Sequence, residues 1–266
     1  MTSVPSQVNV RTLQQKKTNA EKISMLTAYD FSMARLLDEA GVDCILVGDS
    51  LGMVVQGHET TIPVTMAQMI YHGEMVARAA KHAMVIVDLP FPVGQRGVLH
   101  TLKAASKIMK KTLCQAVKME GGHEQSESIA ALVDAGIPTI AHIGLRPQSV
   151  HALGGYRVQR DATRLMQDAQ SAQQAGAFMV LMECVPRSLA KEVTDALRIP
   201  TIGIGAGPDC DGQVLVVNDL LGMTEKLSPK FVRKYANVSE IARNAVSQFQ
   251  SDLQAGNFPA STESFE

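Results

Sequence analysis

Short runs of apolar and β-branched residues recur along the chain, each followed by a polar residue and then by a stretch with helical spacing. Eight of these runs read as strands: 23–28, 44–47, 84–87, 115–119, 139–141, 178–182, 201–203 and 214–217. Most are near-continuous apolar, as expected of parallel strands buried on both faces. Helical patterns fill the gaps at 32–40, 99–111, 126–135, 163–175 and 188–197, and Thr65 reads as the N-cap of a helix running to residue 80. Ala-Gly pairs at 40–41, 135–136 and 175–176 end helices ahead of strands, where glycine permits the left-handed turn. Pro138 and Pro200 start strands, where a missing N–H does little harm.

Eight alternating units, with no Gly-x-Gly-x-x-Gly after the first strand, favour an α/β fold of the (β/α)8 TIM-barrel type over a doubly wound open sheet. The gap between the seventh and eighth strands is short, so its helix must be brief or degenerate. Segment 10–22 lacks Pro and Gly and is expected to form a helix closing the bottom of the barrel. The length, 266 residues, suits one catalytic domain over 1–266, with an N-terminal extension to about residue 22 and a tail from about residue 250.

Composition narrows the function. The chain carries 25 Lys and Arg against 26 Asp and Glu, with no polybasic block and no long apolar run. Nucleic acid and membrane are therefore poor candidates, and the ligand is expected to be small. Cys44, Cys114, Cys184 and Cys210 lie far apart with no Cys-x-x-Cys pair, which reads as reduced thiols of a cytoplasmic protein. Residues 1–19 show no apolar core of a secretory signal.

The chemistry concentrates at the expected C-terminal ends of strands: Asp30, Asp49, Asp88, Lys118, Glu120, His142, Glu183 and Asp219. Packing alone rarely accounts for so many ionisable groups on one rim. Asp49 and Asp88 are hard oxygen donors on rigid strand ends, suited to Mg²⁺, although either one alone serves equally well as a helix or turn cap. Lys118 and Glu120 are two apart and share a face; they suit a substrate carboxylate and a cation, or a structural ion pair. Glu183 follows an apolar run, a setting that raises a carboxyl pKa toward that of a base near neutrality. A lone strand histidine such as His142 is more often a core residue than a catalyst. Glycines 203, 205 and 207 suit either a phosphate cradle or a tight turn.

Longer strings carry a resemblance. Val47-Gly48-Asp49-Ser50-Leu51-Gly52-Met53, Gln56-Gly57-His58, Asp88-Leu89-Pro90-Phe91 and Val117-Lys118-Met119-Glu120-Gly121-Gly122 are similar to ketopantoate hydroxymethyltransferases. So are His142-Ile143-Gly144-Leu145 with Pro147-Gln148, Gly154-Gly155-Tyr156, Glu183-Cys184-Val185-Pro186 and 202–207. The resemblance implies transfer of a hydroxymethyl group from 5,10-methylenetetrahydrofolate to 2-oxoisovalerate, giving 2-dehydropantoate for pantothenate and coenzyme A synthesis. It implies one Mg²⁺ per subunit on Asp49, Asp88 and Glu120, an oxo acid held by Asp49, Ser50, Asp88 and Lys118, with His142 in second rank, and Glu183 as proton acceptor. It also implies a cytoplasmic homodecamer. The chain departs from the family pattern at 92–99, at 110–113 and in the short loop after Gln159. Two other readings stand beside this one: a Mg²⁺-dependent carbon–carbon lyase similar to phosphoenolpyruvate mutase or isocitrate lyase, and a barrel without catalysis.

Overall fold

A computed structural model describes residues 7–224 and 229–265. Residues 1–6, which belong to the N-terminal stretch read above, and Glu266 of the tail lie outside the described residues. The chain divides into two compact units, up to Val216 and from Val217 onward.

In the first unit eight parallel strands close on themselves in sequence order, with β8 pairing back to β1. They are β1 (Ile23–Thr27), β2 (Cys44–Val47), β3 (Met84–Asp88), β4 (Ala116–Glu120), β5 (Thr139–Gly144), β6 (Met179–Glu183), β7 (Thr201–Ile204) and β8 (Gly212–Leu215). The helices of this unit are α1 (Val10–Thr18), α2 (Phe31–Glu39), α3 (Leu51–Val54), α4 (Met66–Ala79), α5 (Val98–Thr112), α6 (Ser126–Asp134), α7 (Ala162–Gln174) and α8 (Arg187–Ala196). The barrel expected from the apolar spacing is the one observed.

Local chemistry sets the boundaries. Asp30 caps α2 by accepting from Met33 N–H, and Thr65 forms a capping box with Gln68 at the start of α4. The three Ala-Gly pairs end their helices with glycine at positive φ, as expected. Between β7 and β8 the described residues contain no helix, in keeping with the short gap. Glycines 205 and 207 turn the chain there, and Gly207 C=O accepts from Gln213 Nε2.

Two strands differ from expectation by more than one residue: β5 runs on through His142 to Gly144 rather than ending at residue 141, and β8 is displaced. The eighth is Gly212–Leu215 rather than 214–217, because Gly212 is the residue that lies against Ile23 of β1 and Ile202 of β7. A Cβ at Gly212 would collide with Ile23 C=O, so the close approach needs glycine, a residue that an apolar-run reading passes over. Val217 instead opens α9 (Val217–Leu220) in the second unit, and Asp219 sits on that helix rather than at a strand end. The second unit continues to α10 (Val238–Ala255), whose start is tied to α9 by Tyr235 N–H donating to Leu220 C=O and Val238 N–H to Leu221 C=O.

The barrel interior explains where the chemistry falls. Met25, Cys44, Leu46, Met84, Ile86, Ala116, Ile140, Met179, Leu181 and Ile202 belong to one buried cluster. Side chains alternate along a strand, so residues two further on share that inward face. The continuation of Ile86 is Asp88, that of Ala116 is Lys118 and then Glu120, that of Ile140 is His142, and that of Leu181 is Glu183. The interior therefore changes from oily to ionic along its own length.

At the opposite end, α1 covers the strand starts. Leu13 joins the inner cluster. Lys16 pairs with Asp43 at 2.6 Å and Lys17 with Asp211 at 2.7 Å, just ahead of β2 and β8. This is the bottom closure expected for the segment, ending at Thr18 rather than residue 22.

Candidate active site

Asp88 is the centre of the ionic end. Its Oδ2 accepts from the backbone N–H of Asp49 at 3.0 Å, and its Oδ1 pairs with Lys118 Nζ at 2.7 Å. Lys118 Nζ also lies 3.1 Å from His142 Nδ1. On its other side, His142 Nε2 is 3.3 Å from Glu183 Oε2, and Glu120 Oε1 is 3.9 Å from His142 Nδ1. Five of the residues named from the sequence thus form one connected chain, Asp49–Asp88–Lys118–His142–Glu183, with Glu120 beside it. Ser50 faces the same end, its Oγ 2.9 Å from Tyr29 OH. Asp30 is an exposed helix cap and takes no part.

Three buried acids and the partly buried Glu183 share this space with one lysine ammonium, and their protonation shows the strain. Burial pushes Asp49 up to about 7, with Asp88 adding and Lys118 and Gln148 opposing. Asp88 is raised by burial against the pull of Lys118. Burial, then Asp49, lifts Glu120 well above the usual carboxylate range. Burial brings Glu183 to about 8, against Lys118 and with help from Asp49 and Asp88. For Lys118, burial alone favours the neutral amine, but Asp88, Asp49 and Glu120 outweigh it and hold the ammonium. Burial, followed by Lys118 and Arg146, keeps His142 well below its ordinary value, so the ring is neutral.

The histidine's tautomer follows. An ammonium only donates, so His142 Nδ1 accepts from Lys118 and the ring proton resides on Nε2, facing Glu183. His142, ranked second from sequence alone, stands between the lysine and the candidate base.

Hard carboxylate oxygens in excess over positive charge are the donor set of a divalent cation. Among the described residues no three His, Cys, Asp or Glu side chains form a ready-made ion cage. Mg²⁺ does not need one, since it commonly takes one or two carboxylates and completes its shell with water and substrate. Asp49, Asp88 and Glu120 fit that role.

Two supports were not assigned roles from the sequence. Gln148 is buried and bonds to Asp49 and Glu120 at once. Tyr156 is half exposed, its OH bonds to Met53 Sδ, and burial together with Glu183, Asp49 and Glu120 raises its pKa, placing it near the same mouth. Both lie inside quoted motifs, but neither residue type at a loop position signals a role by spacing.

Gly144, at the end of β5, holds the base strand in place. It has φ +85°, and a Cβ there would strike Glu183 C=O, which accepts from Leu145 N–H at 2.8 Å. Gly144→Ala is expected to destabilise the fold by about 1–3 kcal/mol and to lower turnover in the surviving folded fraction. Thermal unfolding with parallel rate measurements checks this; unchanged stability and rate would show that the clamp is slack.

The ketopantoate hydroxymethyltransferase family matches residues 7–261. The 3-methyl-2-oxobutanoate hydroxymethyltransferase of Rhodopirellula baltica is 58% identical over 98% of this chain and 97% of its own length. That of Syntrophus aciditrophicus is 52% identical over 94% of this chain and 93% of its own length. Among solved structures, a phosphonopyruvate hydrolase complexed with oxalate and Mg²⁺ has a TM-score of 0.63 at 14% identity, covering 97% of this chain and 93% of that one. A 2,3-dimethylmalate lyase scores 0.61 at 17% identity, over 96% and 90%, and both likenesses concern the fold alone. With near-complete coverage and more than half of the residues identical to a hydroxymethyltransferase, the chain belongs to the ketopantoate hydroxymethyltransferase family and is a transferase enzyme.

Proposed function

We propose that this enzyme removes the C3 proton of 2-oxoisovalerate and joins the resulting carbanion to the one-carbon unit of 5,10-methylenetetrahydrofolate, giving 2-dehydropantoate. The carrying observation is a carboxylate with a raised pKa, Glu183, set 3.3 Å from a neutral histidine and joined through it to the Lys118–Asp88 pair.

Lys118 and Ser50 would receive the oxo-acid oxygens, the lysine as a point charge and the serine as a hydroxyl donor steadied by Tyr29. Asp49 and Asp88, with Glu120 behind them, would hold one Mg²⁺ per subunit. When bound there, that cation supplies Lewis-acid polarisation of the oxo acid, which favours loss of the neighbouring C–H proton. Glu183 then takes that proton on a carboxylate oxygen. His142 Nε2, which has no hydrogen-bond partner among the described residues and lies 3.3 Å from Glu183 Oε2, would be free to donate to the charged form of Glu183. The new carbon–carbon bond replaces one of the two folate C–N bonds of the one-carbon unit, hydroxyl from water replaces the other, and the two folate nitrogens take up the C3 proton and the proton left by water. Among the described residues no helix is long and apolar enough to cross a membrane; we place the enzyme in the cytoplasm, in pantothenate synthesis, as a homodecamer.

Incubation with 2-oxoisovalerate, 5,10-methylenetetrahydrofolate and Mg²⁺ is expected to yield 2-dehydropantoate by mass spectrometry, and EDTA to suppress it. Cleavage of 2,3-dimethylmalate or phosphonopyruvate without folate-dependent product would favour a lyase instead.

The pH dependence has a definite sign. A general base works as the carboxylate, and burial raises the pKa of Glu183, so proton abstraction fails as pH falls through that raised value. The midpoint is expected well above the ordinary glutamate value of 4.5. A bound cation nearby moves it down from about 8, not up. A rate that stays level down to the ordinary glutamate range would contradict this.

A further inference from the structure

Gln148 touches more of the ionic end than any side chain needs to for packing. It follows β5 in the loop opened by Pro147 and is 5% exposed. Its backbone N–H lies 3.3 and 3.1 Å from the two oxygens of Glu120. Its side-chain Nε2 donates to Asp49 Oδ2 at 2.8 Å and to Leu89 C=O at 2.9 Å. Its Oε1 accepts from Gln95 Nε2 at 3.3 Å.

These partners fix the amide without ambiguity. A carbonyl accepts only, so the amide nitrogen must face Leu89, and the same nitrogen reaches Asp49. The amide oxygen then faces outward, where Gln95 supplies the donor. Gln95 lies in the 92–99 loop, one of the stretches where this chain departs from the family pattern.

Gln148 holds Asp49 Oδ2 by its Nε2 hydrogen bond and so limits the rotation of the Asp49 carboxylate. Its N–H, spread over both oxygens of Glu120, sets the rotation of that carboxylate as well. We propose that Gln148 is a positioning residue that determines which oxygens of Asp49 and Glu120 face the divalent cation, and that Gln95 locks it in that orientation. The inference rests on the metal reading above, and it concerns binding of the ion rather than the identity of the organic substrates.

The test is Mn²⁺ titration followed by electron paramagnetic resonance, with no substrate present, on the full-length wild type, Gln148→Met and Gln95→Leu. Outer-shell partners of metal ligands are typically worth about 10–100-fold in affinity. Gln148→Met is expected to weaken Mn²⁺ binding by about that factor while the far-ultraviolet circular dichroism stays that of the wild type. Gln95→Leu, acting through Gln148, is expected to weaken binding by less, and the double variant to bind as Gln148→Met does. If Gln148→Met fails to fold, Gln95→Leu still decides the matter, because Gln95 touches neither carboxylate. Wild-type affinity in both variants would overturn the inference, even if they unfold at lower temperature, as a purely structural glutamine would cause. Failure of the wild type to bind Mn²⁺ would overturn the metal reading itself, and the inference with it.

Discussion

Replacing Glu183 with glutamine is expected to cut the rate of C3 proton removal by about 10²–10⁴-fold, the usual contribution of a positioned base. Glutamine keeps the size and hydrogen-bonding reach of the side chain but has no basic lone pair near neutrality. Glu183 is 3.3 Å from His142 and is not among the acids proposed for the cation, so Mn²⁺ affinity should stay close to wild type. The fold should not suffer either. Burial raises the Glu183 pKa, so its ionised form is unfavourable in the folded state above about pH 8, and a neutral amide removes that penalty. A rate loss with intact metal binding thus separates the base from the metal ligands. A Glu183→Gln variant with normal exchange would show that another group takes the proton.

Lys118→Met is expected to have the largest effect on stability. It leaves Asp88 with its Oδ1 facing no ammonium and removes the positive charge that opposes the raised pKa values of Asp49, Glu120 and Glu183. Breaking a buried ion pair from one side costs about 3–5 kcal/mol, and a domain of this size loses about 2–4 °C of melting temperature per kcal/mol. The sign with pH is definite. Acids whose folded pKa is raised bind more protons folded than unfolded, so their ionisation weakens the fold as pH rises, and without Lys118 the raised values of Asp49 and Glu183 move further up from about 7 and about 8. Acidification from about pH 8 to about 6 should therefore restore part of the lost stability, as should added Mg²⁺. A deficit that grows on acidification would mean that the acids are not the source of the instability.

Much of this site was legible in the sequence because parallel barrel strands are read two residues at a time. Once Ala116 faces inward, Lys118 and Glu120 must follow, and the same parity takes Ile140 to His142 and Leu181 to Glu183. The eighth strand was misplaced because its first residue, Gly212, contributes no side chain and is required for close backbone approach, which apolar spacing does not register. Asp219 followed that error, since a carboxylate after an apolar run looks alike whether the run is strand or helix. Asp30 shows the other ambiguity, an acid at a strand end that serves only its own helix. Gln148 meets the ends of three other strands, at Asp49, Leu89 and Glu120, and no local pattern encodes contacts that distant.

Removal of the C3 proton of 2-oxoisovalerate by Glu183 within the ionic cluster is the step on which the proposed reaction depends. The most direct measurement is proton nuclear magnetic resonance of 2-oxoisovalerate in D₂O with the enzyme, once with Mg²⁺ and once with EDTA, in the absence of folate. Loss of the C3 proton signal with Mg²⁺ and its persistence with EDTA is the predicted result. Persistence of the signal under both conditions, with Mn²⁺ binding demonstrated on the same sample, would contradict the account.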